Sequence, residues 1–496
     1  MTLRLRTIAA LLVVLFAAQS VYGQVGDLPR TDPENEGMSS VVLRRFFDAV
    51  SNLPQGSENH AAIVVRNGKV IGEIYSEPFG PDNSHTLYSC SKTFVALAVG
   101  MAIEQGLLNL DDKVVDFFTE YLPSNPTANL KDMEVRDLLV MASGIEPDWD
   151  LRTQCDNWIP RLFAKDISKP GETFKYDSMA TYLLSGIVQK ASGVKLIDFL
   201  KANLFHPMHI EEVEWEESPE GFNTGGWGLR MQPESLAKAG QLFLNKGRWN
   251  GVQLVSEEWI EEMMREQIRT PWGESYGYQM WECEKPGVWR ADGAYGQYVI
   301  IAPEEQMVVV MTQCSNMPGV ENRRPVYDIL LSSVDQEIAD GVSLPDKHYI
   351  LPMPNGEAES DIQSQISGKS YILPQNILGW EKLTPLFADN KFSLAVETED
   401  GQQFVARCGF GKWEMSSTTV CPPYSIKAHG RYAGLNKYFT IAGAYSWIAA
   451  TDLEVKIYFT NWITGVTLDF DFASNSITIT ENTFPNNHTT LQFSEK

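Results

Sequence analysis

The sequence has few of the residues that bind metal ions and lacks the common motifs that arrange them. Its 496 residues include seven histidines and six cysteines, and neither an HExxH motif nor a CxxC pair occurs. Protein zinc sites are commonly built from such motifs. The sequence therefore does not support a metal site, and we expect the protein to work without a cofactor.

Positive charge is also scarce. The chain has 40 lysines and arginines against 64 aspartates and glutamates, which gives a formal net charge of −24. Nucleic acids and anionic membranes bind proteins largely through positive charge, so the composition argues against both as electrostatic partners. Hydrophobic residues at 43% and aromatic residues at 11% instead indicate ordinary packed domains.

The first 23 residues have the pattern of a secretory signal peptide. Arg4 and Arg6 precede an apolar core from Ile8 to Ala18, and small residues come before Gln24. This core is too short to span a bilayer comfortably, and no later stretch offers a membrane helix. We therefore expect an exported bacterial protein, periplasmic or secreted, without a membrane span after cleavage; a retained N-terminal anchor is the alternative. The oligomeric state stays open.

Cysteine placement allows one disulfide and argues against a cysteine nucleophile. In an exported chain, Cys408 and Cys421 could close a loop in the C-terminal part. Cys90 lies within the first turn of a predicted helix and has no obvious base beside it, so we interpret it as a small buried residue.

The order of predicted elements indicates two folded domains. Asn67-Gly68 between two β-rich runs predicts a hairpin, and strands are expected again from 288 to 312, followed by a helix over 324–339. A helical middle between these strands predicts one α/β unit over residues 24–343, with a sheet completed by distant parts of the chain. A proline-rich and acidic linker follows over 344–366. Residues 367–496 alternate with period two and predict a mostly β domain, such as a small barrel or curved sheet.

The chemistry is expected at the start of a long apolar helix. Ser89 opens this helix, and Lys92 lies one turn later on the same face. A buried lysine loses preference for its charged form and can take the proton of a serine hydroxyl. Spacing alone is weak evidence, because serine is a common N-cap. Two other Ser-x-x-Lys matches, at 192–195 and 235–238, have ordinary turn and surface-helix contexts.

Three ordered motifs resemble those of the serine β-lactamase and penicillin-binding-protein superfamily, in its class C-like branch of esterases, D-aminopeptidases and amide hydrolases. They are Ser89 to Lys92, Phe174 to Ser178, and Gly293 to Gln297. The resemblance covers roughly residues 34 to 340. It implies an α/β (α+β) fold of the β-lactamase/transpeptidase type, in which helices flank an antiparallel sheet that carries a helical insert. The C-terminal β domain falls outside it.

The resemblance also implies roles for particular residues. Ser89 would attack a carbonyl, Lys92 and Tyr176 would move its proton, and an N–H near Ala294 would join that of Ser89 in an oxyanion hole. A nearby ammonium favours the ionised form of a phenol, which would suit Tyr176 as a base. Taken alone, Tyr176 is equally compatible with an ordinary packed tyrosine.

Departures from the family pattern concern the substrate-binding positions. Ser178 stands where the family has an asparagine amide, and Arg290-Ala291-Asp292-Gly293 replaces Lys-Thr-Gly. Both changes argue against efficient β-lactam hydrolysis. Arg290 could bind a substrate carboxylate or pair with Asp292, and we favour the pairing. Gly293 either lets a substrate backbone approach the strand or forms a bulge, and the motif favours the first.

The sequence thus predicts an exported serine hydrolase that acts through a Ser89 acyl-enzyme on an ester or amide. Its partner would be a small molecule or a short peptide. A β-lactamase or DD-peptidase is the alternative within enzymes. A non-catalytic binding protein on the same scaffold is the alternative outside them, since Ser178 and Asp292 depart from the catalytic pattern.

Overall fold

The computed structural model describes residues 27–54, 56–334, 348–389, 391–424, 428–483 and 488–495. The predicted signal peptide lies outside these ranges, as do the first residues of the predicted linker. Among the described helices, none combines the length and the apolar character needed to cross a membrane.

The first domain is built on a mixed sheet that is mostly antiparallel. Within the described residues it has nine strands, and distant segments of the chain supply neighbouring strands. In spatial order they are Tyr349–Ile350, Lys69–Glu77, Glu58–Arg66, Met307–Cys314, Gln297–Ala302, Trp289–Gly293, Trp281–Glu282, Ser275–Tyr276 and Ile268–Arg269. Only the edge strand Tyr349–Ile350 runs parallel to its neighbour. The predicted sheet closed by distant parts of the chain is therefore confirmed.

The predicted hairpin at the start of this sheet is also confirmed. Asn67 and Gly68 both have positive φ, 50° and 79°, as a two-residue type I′ turn requires. Alternate residues of the strand Glu58–Arg66 then enter two cores. Ala62 and Val64 pack on one face of the sheet, and Ile63 and Val65 pack on the other.

Helices cover both faces of the sheet and form the insert. One face carries Ser40–Ser51, whose cap Ser39 accepts from the Val41 N–H. The other face packs against the buried helix Ser91–Glu104. The remaining α-helices of this domain are Val114–Phe117, Ala128–Asp132, Val135–Leu139, Leu151–Gln154, Trp158–Phe163, Ser178–Ser192, Leu196–Leu200, Pro233–Leu244, Glu257–Met263 and Gly319–Pro325.

Shorter elements complete the first domain. The 3-10 turns are Pro33–Glu36, Tyr88–Cys90, Thr119–Tyr121, His206–Met208 and Leu331–Ser333, and the π-helical turns are Lys201–Phe205 and Val326–Leu330. Small strands pair outside the main sheet at His85–Thr86, Val213–Trp215, Leu229–Met231, Arg248–Trp249 and Val252–Gln253. The predicted helix over 324–339 begins earlier, at Gly319, and changes to π and 3-10 turns before Val334. Its predicted end lies outside the described residues.

The C-terminal domain is the predicted mostly β domain, and its sheet curves into a near-barrel. Its strands, in spatial order, are His488–Gln492, Ser476–Glu481, Gly465–Asp471, Asp452–Phe459, Phe439–Trp447, Gln403–Phe410, Lys391–Thr398, Trp380–Ala388, Tyr371–Ile372 and Ser494–Glu495, with Glu414–Thr418 paired to Phe439–Trp447. The first and last of these strands are separated only by Phe493. The end of the chain therefore pairs with both edges of the sheet.

The predicted linker is partly structured, and the predicted disulfide is absent. Tyr349–Ile350 adds a strand to the first sheet, and Gln363–Ile366 forms a short helix. All six cysteines are free thiols, Cys408 and Cys421 included. The thiol of Cys408 lies buried within its strand.

The two domains share a packed boundary next to the predicted site. Tyr88, which precedes Ser89, belongs to the apolar core of the C-terminal domain. Tyr458 donates to the Glu58 carboxylate of the first sheet at 2.5 Å. The C-terminal domain is therefore in direct contact with the segment that carries Ser89.

Candidate active site

Ser89 and Lys92 lie together at the start of the buried helix. Ser89 is in the 3-10 turn Tyr88–Cys90, which runs directly into Ser91–Glu104. The Lys92 ammonium nitrogen Nζ donates to Ser89 Oγ at 2.8 Å, to Ser178 Oγ at 3.1 Å and to the Gly226 carbonyl at 2.6 Å. Three oxygens thus hold one nitrogen beside a half-buried hydroxyl that faces a cavity.

The surroundings of Lys92 disfavour its charged form, as expected from the sequence. Its side chain is only 2% exposed. Burial, followed by repulsion from Arg152, lowers the pKa of Lys92 from 10.5 to about 7. A large fraction of Lys92 is therefore neutral at physiological pH and can accept the Ser89 proton.

Tyr176 lies beside the same pair, but its phenol is not made acidic. Lys92 Nζ is 4.8 Å from the centre of the Tyr176 ring. Burial raises the pKa of Tyr176 well above 10, although a hydrogen bond with Ser89 acts in the opposite direction. The expectation that a nearby ammonium would make Tyr176 a ready base is wrong in direction, since burial dominates. Tyr176 therefore keeps its proton near neutral pH.

Ser178 and Asp177 begin the helix Ser178–Ser192, which brings a second motif to Lys92. Asp177 is the N-cap, and its Oδ1 accepts from the Met179 N–H at 2.9 Å. Ser178 follows as the first helical residue and accepts from Lys92. Burial raises the pKa of Asp177 to about 6. Ser178 therefore helps to hold Lys92 in place. The sequence showed only that Ser178 stands where the family has an asparagine, and it did not predict this contact.

Gly293 ends the strand Trp289–Gly293, which passes close behind the Ser89 turn. A Cβ atom at this position would lie 2.3 Å from the Leu87 carbonyl and 3.3 Å from the Cys90 backbone nitrogen. The close approach of the turn that carries Ser89 is therefore enough to require glycine at this position. The expectation that Gly293 also admits a substrate backbone stays a prediction. Ala294 follows, exposed, and lines the cavity with Ser89.

Two tyrosines beside Ser89 and Ala294 have unusual backbone conformations. Tyr88 has φ 45° and Tyr295 has φ 62°. Both angles lie in the left-handed region, which residues other than glycine rarely adopt. Their rings meet edge to face, with centroids 5.3 Å apart. This contact joins the two turns that carry Ser89 and Ala294, both of which line the cavity. Non-glycine residues in this region commonly mark functional sites.

Arg290 forms the ion pair favoured from the sequence. Its guanidinium donates to Asp292 Oδ2 at 2.8 Å and to the Glu282 carbonyl at 2.6 Å. Burial alone would lower the pKa of Arg290, but the Asp292 carboxylate raises it overall. Because Asp292 already neutralises it, Arg290 is poorly placed to bind a substrate carboxylate, although it lines the cavity.

The cavity in front of Ser89 has a volume of about 400 Å³. It is lined on one side by Arg290, Asp292 and Ala294, which we call the strand wall. Its other side, which we call the insert wall, consists of Trp149, Arg152, Trp227 and Arg431. Arg431 comes from the C-terminal domain. Trp227 stands out in the sequence only by its place among glycines, in Gly225-Gly226-Trp227-Gly228. No local motif marks the other three residues.

The two other Ser-x-x-Lys matches do not form such a pair. Lys195 Nζ is bonded to Glu217 at 2.6 Å, whereas Ser192 Oγ bonds the Val194 carbonyl. Lys238 Nζ bonds the His209 carbonyl at 3.1 Å. Among these three matches, only Ser89 has its lysine at hydrogen-bonding distance. The expected surface-helix context of the 235–238 match is wrong, because the helix Pro233–Leu244 packs into the main core and Lys238 is only 4% exposed.

A GxSxG match at 273–277 also lacks the geometry of a nucleophile. Ser275 lies in the short strand Ser275–Tyr276 and not in a sharp strand-to-helix turn. Its side chain is buried and donates to Glu266 at 2.6 Å. This serine is therefore a structural residue of the sheet edge.

Within the described residues, neither a reactive thiol at Cys90 nor a metal site accompanies the Ser89 group. Cys90 is fully buried and its thiol donates to the Gln297 carbonyl at 3.1 Å, while burial raises its pKa well above 9. Among the described residues, no group of three or more His, Cys, Asp or Glu side chains could hold a metal ion.

The sheet with its helical insert, and the serine with a lysine beside it at the start of the buried helix, are features of beta-lactamase-type serine hydrolases. A family model described as Beta-lactamase matches residues 46–331, more than half of the chain. The chain belongs to the beta-lactamase family.

Two proteins of known name are similar to this chain in sequence. The chain is 24% identical over 325 residues to the 6-aminohexanoate-dimer hydrolase of Paenarthrobacter ureafaciens, covering 59% of this chain and 82% of that protein. It is 30% identical over 172 residues to penicillin-binding protein 4* of Bacillus subtilis, covering 32% of this chain and 34% of that protein.

A solved structure supports the fold. The structure of a penicillin-binding protein homolog from Caulobacter crescentus matches with a TM-score of 0.50 at 16% identity, covering 61% of this chain and 100% of that one. The predicted fold class is thereby confirmed.

Proposed function

We propose that this protein is an exported serine hydrolase that attacks an ester or amide carbonyl with Ser89 and passes through an acyl-enzyme. The observation that carries the proposal is the contact of Lys92 Nζ with Ser89 Oγ at 2.8 Å. Burial gives this lysine a pKa of about 7. A serine paired with a base that is available near neutral pH has what nucleophilic catalysis requires.

The reaction begins with proton transfer. Neutral Lys92 takes the proton of Ser89 as Oγ forms a bond to the substrate carbonyl carbon. The carbonyl oxygen becomes an oxyanion, which the N–H groups of Ser89 and Ala294 stabilise. Tyr176 gives its phenolic proton to the leaving group as the scissile bond breaks, and it regains a proton from the Lys92 ammonium. Water then attacks the acyl-enzyme, with the same groups moving protons in reverse order.

An ester or amide substrate is supported over a β-lactam by the changes at two positions. Ser178, in place of an amide side chain, holds Lys92. Arg290 is occupied by Asp292 and the Glu282 carbonyl. The relative from Paenarthrobacter ureafaciens is named as a hydrolase of the 6-aminohexanoate dimer, a molecule joined by an amide. The relative from Bacillus subtilis keeps penicillin binding as the second candidate.

Intact-mass analysis after incubation with a fluorophosphonate, and separately with a penicillin, tests the proposal. We expect fluorophosphonate labelling of the wild type and of Ser192→Ala and Ser235→Ala, and no labelling of Ser89→Ala. Equal labelling of Ser89→Ala and wild type would contradict the assignment of the nucleophile. A penicillin adduct that persists would favour the penicillin-binding alternative.

Export is part of the proposal and has its own test. It is supported by the N-terminal pattern of Arg4, Arg6 and the apolar core. Expression in a bacterial host followed by N-terminal sequencing of the periplasmic fraction should give a chain beginning near Gln24. Retention of the full-length chain in the cytoplasm would contradict export.

A further inference from the structure

The insert wall of the cavity contains a buried arginine without an acidic partner. Arg152 is only 5% exposed and lines the cavity with Ser89. Within the part of the chain that the structure describes, its guanidinium donates only to the Trp149 carbonyl, at 3.4 Å and 3.5 Å. Among the described residues, no carboxylate forms an ion pair with it. Burying an arginine without a carboxylate is costly, which points to an anion that joins it during function.

A second arginine faces the same cavity from the C-terminal domain. Arg431 Nη1 donates to Glu216 Oε2 at 2.9 Å, and its Nε has no partner among the described residues. Glu216 also accepts from the Tyr432 N–H at 3.1 Å. One carboxylate therefore compensates Arg431, and the pair of guanidiniums keeps a net positive charge.

Trp227 holds the two arginines near each other. The guanidinium carbons of Arg152 and Arg431 lie 4.8 Å and 5.5 Å from the centre of its ring. Burial, followed by repulsion from Arg431, lowers the pKa of Arg152 to about 10. The buried indole Nε1 of Trp227 has no partner among the described residues. The two guanidiniums at this wall are thus incompletely paired.

The position of this wall is set by contacts between the domains. The Arg152 carbonyl accepts from the His429 N–H at 2.7 Å, and His429 Nδ1 lies 2.7 Å from Asp156 Oδ1. The segment that carries Arg431 is therefore tied to the helix that carries Arg152. Two acidic residues, Asp177 and Asp150, act against the lowering of the Arg152 pKa, but among the described residues neither forms an ion pair with Arg152. Asp177 caps its own helix through Oδ1, and its Oδ2 has no partner among those residues.

We propose that Arg152 and Arg431 form a subsite for a carboxylate of the substrate, so that the hydrolase acts on esters or amides that carry a negative charge. Arginines bind carboxylates in bidentate geometry, and stacking on an aromatic ring holds them in place. The inference rests on the proposed function for its catalytic part. The binding part stands independently, because it does not require turnover.

Calorimetric titration of the Ser89→Ala protein tests binding without chemistry. The ligands are glutarate and its neutral analogue glutaramide. We expect glutarate to bind at least about tenfold more tightly, since hydrogen bonds between a guanidinium and a carboxylate are stronger than those to a neutral amide. Adding Arg152→Gln should remove this preference, and Arg152→Lys should restore part of it. Adding Arg161→Gln, a change of an exposed arginine in the same insert, should leave it intact.

Turnover of two matched esters connects the subsite to catalysis. Wild-type kcat/KM should favour mono-p-nitrophenyl glutarate over the p-nitrophenyl ester of 4-carbamoylbutyrate, and Arg152→Gln should reduce this ratio. Equal binding of glutarate and glutaramide, or no binding of glutarate, would overturn the subsite. Loss of the preference in Arg161→Gln would also overturn it. Failure to hydrolyse either ester, with glutarate binding intact, would instead contradict the proposed function.

Discussion

The strand wall and the insert wall of the cavity each contain a buried arginine, and the two arginines differ in what neutralises them. Arg290 is 4% exposed and Arg152 is 5% exposed. Asp292 pairs with Arg290 at 2.8 Å, whereas Arg152 has no such partner among the described residues. The strand wall is therefore complete as it stands, and the insert wall has charge available for a ligand. Equal burial of two like residues does not imply equal function.

The largest effect on activity should come from Lys92, which is bonded to Ser89 between these walls. Lys92→Met removes the base, and we expect kcat/KM for an ester to fall by at least about 10³-fold, as when one member of a catalytic group is lost. Steady-state kinetics measure the change. Lys238→Met alters the buried lysine of another Ser-x-x-Lys match and should retain activity. A Lys92→Met protein with near wild-type activity would place the chemistry elsewhere.

On the strand wall, Gly293→Ala tests whether close packing positions the nucleophile. The added Cβ would lie 2.3 Å from the Leu87 carbonyl, so the Ser89 turn must shift. A displacement of this kind should lower kcat by about 10²-fold. Gly80→Ala is the control, because its Cβ would meet no atom closer than 3.6 Å. Unchanged kinetics in Gly293→Ala would show that the turn tolerates displacement.

The two arginines should respond differently when each is neutralised. Arg290→Gln leaves Asp292 with a weaker contact, to Arg323 at 3.4 Å, and should lower the free energy of unfolding by about 3 kcal/mol. Arg152→Gln removes a buried charge without a carboxylate partner, so the free energy of unfolding should fall by no more than about 1 kcal/mol. Urea denaturation of both variants makes the comparison. Equal losses would contradict the distinction between the walls.

A smaller effect should appear in the pH dependence of catalysis. Arg152 is a positive neighbour that lowers the pKa of Lys92, and Lys92 must be neutral to act as a base. In Arg152→Gln this pKa should rise, so the acid limb of the kcat/KM profile for the neutral ester should move to higher pH. Arg161→Gln should leave the limb in place. Movement to lower pH would contradict the electrostatic coupling.

The contact between Ser89 and Lys92 and the fold were predictable because their signals are local. The spacing of apolar residues along the chain predicts helices and strands, and Asn67-Gly68 predicts a hairpin turn. Ser89 and Lys92 lie one turn apart on a helix, so sequence spacing fixes their contact. Their roles in catalysis stay predictions until the experiments above are made.

Properties set by distant segments were not predictable in the same way. The direction of the Tyr176 pKa depends on burial by residues far along the chain, and the sequence interpretation considered only the ammonium nearby. Position 293 requires glycine because the backbone at Leu87, in a distant segment of the chain, lies too close for a side chain. Arg152 and Arg431 are separated by almost the whole insert and the linker, so only the docking of the C-terminal domain reveals their pairing around Trp227.

The most direct test of the account is the pH dependence of Ser89 labelling by a fluorophosphonate, followed by intact mass. Burial gives Lys92 a pKa of about 7, so the labelling rate should rise about tenfold per pH unit below that value and level off above it. A rate that continues to rise through pH 9, as an ordinary lysine would require, would contradict the assignment of Lys92 as a buried neutral base.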